Sequence, residues 1–127
     1  MVMTQTERIA VALLGWAPVE TPYVLTRGYK QRGGKVSNVC QANGHGDGDW
    51  PDFDTLDGCR LFEGALASRA LLNRYVVEIL RPEVTVFQSV RVDDVPRKII
   101  RAARVCLRAT CEQRVAACIR VLDEAGL

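Results

Sequence analysis

The sequence is poor in the residues that most often carry chemistry. It has one histidine, His45, which excludes a multi-histidine metal centre. Its five cysteines, Cys40, Cys59, Cys106, Cys111 and Cys118, are odd in number and contain no C-x-x-C pair, so no structural zinc spacing is present. Free thiols in a reducing compartment are the expectation. No nucleotide-binding glycine loop and no nucleophile motif occur. The longest apolar run, Ile9 to Leu14, is too short to cross a bilayer. The polar, acid-bearing start Met-Val-Met-Thr-Gln-Thr-Glu-Arg has no signal-peptide core. These absences predict a product that stays in the cytoplasm, without a membrane partner and without a cofactor or metal. A net charge of +2 gives no field that by itself implies a nucleic-acid partner.

What is present is a globular composition, 48% hydrophobic and 25% charged. A chain of 127 residues reads as one domain, 1–127, large enough to bury roughly two-thirds of the surface its unfolded form exposes. The charge is uneven. Residues 47–57 carry five aspartates and no base, whereas residues 97–120 carry seven bases against the single acid Glu112.

Local signals order the elements. Thr4-x-x-Glu7 has capping-box spacing and opens a helix that Gly15 and Pro18 close. Residues 21–41 read as a β-hairpin, with strands Tyr23–Thr26 and Lys35–Cys40 about the turn Gln31-Arg32-Gly33-Gly34. The Gly/Asp stretch Asn43 to Pro51 is a loop. Asp54 or Thr55 starts a helix whose buried stripe is Leu56, Cys59, Phe62 and Leu66 and which runs into the low 70s, with a break near Asn73. Residues 74–80 carry both strand composition and helical leucine spacing, and the helical reading is preferred. Val84 to Val92 alternates as a strand, and Asp93 or Asp94 caps a helix that tolerates Pro96 in its first turn. Thr110-Cys111-Glu112-Gln113 is a second capping box, and Gly126 stops the last helix. The expected fold is α+β, with helices packed on a small, mostly antiparallel sheet of three or four strands. The expected core includes Leu13, Phe62, Leu66, Val86, Ile99, Cys106, Cys118 and Ile119.

Three stretches carry a resemblance. They are Glu7-Arg8-Ile9-Ala10-Val11-Ala12-Leu13-Leu14-Gly15-Trp16, Trp50-Pro51-Asp52-Phe53-Asp54-Thr55-Leu56-Asp57 and Ala109-Thr110-Cys111-Glu112-Gln113-Arg114-Val115-Ala116-Ala117. Together they resemble small tailed-phage and prophage proteins with an ABA sandwich domain, in which helices flank a small sheet. The resemblance implies a phage origin and action in the host bacterial cytoplasm. It transfers no catalytic residue.

Four constellations are candidates for function. Arg97, Arg101, Arg104 and Arg108 recur on one helix face, a spacing that suits either a solvated surface or an anionic partner, since guanidinium forks match phosphate and carboxylate. Arg32 and Lys35 on the hairpin add to that basic group, and Tyr29 lies among them. Trp50, beside Pro51 in a loop, reads either as packing or as an exposed partner anchor, with Tyr29 a second anchor. The aspartates of residues 47–57 miss the EF-hand ligand spacing. His45, flanked by glycines and near aspartates, is a general-base candidate without a nucleophile beside it, apart from Cys40.

The leading functional expectation is a non-enzymatic phage accessory protein that binds a host protein or a small anionic or nucleotide ligand, as a counter-defence factor or similar, and that forms homo-oligomers. A nucleic-acid-binding protein using the hairpin and the arginine helix is one alternative. A small enzyme using His45 is the other.

Overall fold

The computed structural model of the chain describes residues 3–80 and 106–127. The expected strand at Val84–Val92, the following helix, and Val86, Ile99, Arg97, Arg101 and Arg104 lie outside the described residues.

The fold is α+β. Helix α1 spans Gln5–Leu13. Thr4 caps it, accepting the Glu7 N–H at 3.2 Å, while the Glu7 carboxylate takes the Thr4 N–H at 2.7 Å. Three short strands follow, β1 (Ala17–Val19), β2 (Thr26–Lys30) and β3 (Val36–Cys40), in an antiparallel sheet ordered β1-β2-β3. Helix α2 spans Leu56–Ser68 and is capped by Thr55, whose side chain accepts the Gly58 N–H. Helix α3 spans Leu72–Leu80, and α4, Cys111–Ala125, begins at the Thr110–Gln113 capping box and ends at left-handed Gly126.

Helix α1 sits between two cores. Ile9 and Leu13 face the helices, packing with Phe62 and Leu66 of α2, Tyr75 of α3 and Cys118, Val121 and Leu122 of α4. Ala10 faces the sheet, where Trp16, Tyr29, Val39 and Trp50 form a compact aromatic group. Trp50 meets Trp16 edge-on with centroids 5.0 Å apart and lies against Tyr29 at 4.9 Å.

The second strand of the hairpin lies where expected, but the first is displaced, from Tyr23–Thr26 to Thr26–Lys30. The turn at Gln31–Gly34, with Gly33 at positive φ, pairs Lys30 with Val36 and sets a ladder that ends at Thr26–Cys40. Tyr23, Val24 and Leu25 therefore run past the end of β3 and form a loop, despite their strand composition. Strand β1, with Pro18 at the sheet edge, lies in what reads as a helix terminator. Helix α2 stops at Ser68 rather than in the low 70s, because Ala70 adopts φ +58° and breaks the chain before α3. Residues 72–80 are helical, as the leucine spacing indicates. Leu13, Phe62, Leu66 and Cys118 are buried, whereas Cys106 and Ile119 are half-buried.

Candidate binding site

The structure brings Trp50 and Tyr29 together in the core and leaves Arg32, Lys35 and Arg108 on the surface. Trp50 and Tyr29 are 6% and 2% exposed, so neither ring is available to anchor a partner. Trp50 Nε1–H donates to the Gly44 carbonyl at 2.9 Å, and a side chain on Gly46 would place its Cβ 2.6 Å from Trp50 Cγ. Tyr29 donates its hydroxyl to Glu7 Oε1 at 3.1 Å. Burial raises its pKa, and the Glu7 charge raises it further. The Gly/Asp loop conceals Trp50 because these two glycines let its backbone close over the ring.

The basic residues divide in the same way. Arg27 serves Glu7, which is fully buried: Nε lies 2.5 Å from Oε1 and Nη2 lies 2.7 Å from Oε2. Burial alone would raise the Glu7 carboxyl, but hydrogen bonds from Arg27 and Thr4 outweigh it and hold the carboxyl below its ordinary value. Arg114 is likewise structural. It bonds Glu63 at 2.8 Å and the carbonyls of Ala109 and Cys106 at 3.0 and 2.8 Å, holding the segment before α4 against α2. Arg108, Arg32 and Lys35 are exposed. Lys35 lines a groove that also contains Asp47 and Asp49, whose charge opposes an anion there.

His45 pairs with Asp54, Nε2 to Oδ2 at 3.0 Å, at a cleft of about 370 Å³ that also includes Thr6 and Glu112. Both side chains are mostly exposed, at 63% and 74%. Cys40 meets His45 through the backbone, its N–H donating to the His45 carbonyl at 2.8 Å. Among the described residues no cysteine or serine lines the cleft. Asp47 is engaged with the Asn38 backbone and side-chain amides, and Asp52 accepts the Asp54 N–H. Among the described residues no group of three His, Cys, Asp or Glu is placed to hold a metal ion, and no helix is long and apolar enough to cross a membrane.

The feature the sequence reading missed is the β1–β2 loop, residues 20–25. Tyr23, Val24 and Leu25 are 61%, 87% and 78% exposed, three consecutive large apolar side chains in water. The backbone beneath them is held. Gln41 N–H donates to the Leu25 carbonyl at 3.2 Å, and Gln41 Nε2 lies 3.4 Å from the Val24 and Thr26 carbonyls. Thr21 Oγ1 donates to Asn38 Oδ1 at 3.0 Å. Beside the loop is a cleft of about 390 Å³ lined by Met3, Val19, Thr21, Tyr23, Val24 and the Gly28 backbone, among others. Gly28 is needed there: a Cβ would fall 2.9 Å from the Val19 carbonyl oxygen. Among the described residues the charged side chain on this lining is Arg27, already neutralised by Glu7.

The sheet edges are closed to strand addition. Pro18 on β1 offers no N–H, and the outer edge of β3 is taken by residues 45–47 through Cys40 N–H to His45 O and Asp47 N–H to Asn38 O. The described residues form an α+β fold whose 20–25 loop holds Tyr23, Val24 and Leu25 in water beside the cleft, with exposed Glu20 at the start of the loop. No family model, no curated protein and no solved structure matches the chain.

Proposed function

We propose that this is a non-catalytic binding protein of phage origin that acts in the host cytoplasm by docking a host protein on the 20–25 loop and its cleft. The observation that carries the reading is the consecutive exposure of Tyr23, Val24 and Leu25 on a backbone tied down by Gln41 and Thr21. Exposed apolar side chains cost solvation free energy unless a partner covers them, and a held loop loses little freedom on binding. The neutral lining favours an apolar protein surface over a phosphate or nucleotide. Host and compartment come from the resemblance to phage proteins, which the motifs of residues 7–16, 50–57 and 109–117 support.

The test is affinity capture from host lysate with wild type and Leu25→Asp in parallel. The captured protein is then purified and rebound. Retention by wild type and loss of at least about 100-fold in affinity for Leu25→Asp is expected, the scale of a central apolar anchor. Equal binding by both would place the partner surface elsewhere. The anionic-ligand reading on Arg108, Arg32 and Lys35 has its own check: a phosphate-bearing ligand that binds wild type and is lost in Arg108→Glu would support it.

A further inference from the structure

Asn43-Gly44 is the only Asn-Gly pair in the chain. At such a pair the glycine amide nitrogen, unscreened by a side chain, attacks the asparagine side-chain carbonyl carbon. The new N–Cγ bond closes a succinimide, and ammonia leaves carrying the amide proton. Water then opens the ring to aspartate or isoaspartate. We infer that Asn43 is a deamidation site that the native fold holds closed, so that modification follows opening of the loop from Asn43 to Trp50. The asparagine is not the obstacle. Asn43 is exposed, and its Oδ1 accepts the His45 N–H at 2.9 Å, an Asx turn that keeps the side-chain carbonyl beside the next peptide. The obstacle is the nucleophile. Gly44 donates its N–H to the Cys40 carbonyl at 2.9 Å, so the proton that must leave is engaged. The Gly44 carbonyl accepts Trp50 Nε1–H at 2.9 Å, and Trp50 is 6% exposed. Gly44 itself is buried at φ +74°, so close to the start of α1 that a Cβ would fall 2.5 Å from Thr4 Oγ1. Ring closure would break the bond to Cys40 and move Gly44 against Thr4. Isoaspartate routes the backbone through the side chain and adds one carbon before Gly44. The loop then no longer matches its anchors on Cys40, Trp50 and Thr4.

The test holds the full chain under reducing conditions in mildly alkaline buffer, native in one sample and unfolded by guanidinium chloride in another. Intact mass follows the exchange of amide for acid over days, and peptide mapping places it. The native chain reacts only through local opening, so its rate at Asn43 should be at least about 10-fold below the unfolded rate. Asn43→Ser should abolish the fast phase in the unfolded sample. Equal native and unfolded rates overturn the inference. So does a fast phase in unfolded Asn43→Ser, or none in unfolded wild type. After ageing unfolded and refolding, the melting temperature should fall more for wild type than for Asn43→Ser aged alongside. Equal falls would show that the loop accepts the extra carbon, and would overturn the claim that its anchors hold Gly44 in place.

Discussion

Arg27 of β2 closes both oxygens of Glu7 in α1 with a two-pronged grip, Nε to Oε1 at 2.5 Å and Nη2 to Oε2 at 2.7 Å, inside a site where Glu7 has no exposed surface. The same carboxylate takes the Thr4 N–H and the Tyr29 hydroxyl. One acid thus joins the start of α1 to the middle of the sheet. Removing the cation leaves a buried charge without compensation. Arg27→Ala should cost about 3–5 kcal/mol in a denaturant titration. A loss below about 1 kcal/mol, the range of exposed pairs, would show that solvent screens the pair.

The pH dependence follows from the same group. The folded Glu7 carboxyl lies below its ordinary value, so the unfolded chain binds its proton more readily. This contribution to stability is complete above the ordinary Glu pKa of about 4.3 and is lost as pH falls from there through the lowered native value. Urea midpoints across the acid range should fall steeply for wild type. Glu7→Gln should be less stable at neutral pH and should show a shallower fall. Parallel curves would assign the acid sensitivity to other carboxylates.

Two glycines of α2 should respond to alanine with opposite signs. Gly64 has nothing within 4 Å of an added Cβ, so Gly64→Ala should stabilise by roughly 0.5–1 kcal/mol through helix propensity. At Gly58 the added Cβ would overlap the Asp52 carbonyl oxygen at the cap. Gly58→Ala should therefore destabilise despite the same propensity gain. Thermal melts of the two variants check both signs at once.

Thiol reactivity should follow burial. Cys59 and Cys118 are pushed up to about 12, first by burial and then, for Cys59, by the neighbouring Cys111 thiol and, for Cys118, by Cys59. The thiolate is the reactive form. Native alkylation should therefore leave Cys59 and Cys118 unmodified while half-buried Cys40 and Cys111 react. In a separate sample denatured without reductant before alkylation, all five thiols should be modified. A chain two mass units light would reveal a disulfide.

The starts of α1 and α4 and the end of α4 were legible because their signals are local, whereas the end of α2 was not. Thr4-x-x-Glu7, Thr110-x-x-Gln113 and Gly126 each complete their bonding within a few residues, and each lies where its pattern places it. The second β-strand of the hairpin was legible for a similar reason, since the glycine turn fixes where it starts. The first was not. Val24 and Leu25 have better strand composition than Gly28, yet Gly28 is in the strand and they are in the loop. Ladder length is set by where the partner strand ends, and composition carries no record of that.

The sequence by itself determined the helix caps, the hairpin turn, the Cys59, Phe62 and Leu66 part of the α2 stripe (Leu56, expected in it, is exposed) and hence the α+β class, because these arise from interactions between residues near one another in the chain. Tertiary structure alone decided which polar and aromatic side chains are free. Arg27 and Arg114 are charged in sequence like Arg108, but the first two are neutralised by Glu7 and Glu63, which lie 20 and 51 residues away. Trp50 sits in a loop of surface composition and is buried because Gly44 and Gly46 let that loop fold over it. Tyr23, Val24 and Leu25 have core composition and stand in water because β3 turns away at Cys40. Exposure depends on contacts between distant segments, and so the binding surface emerged only when the chain was folded.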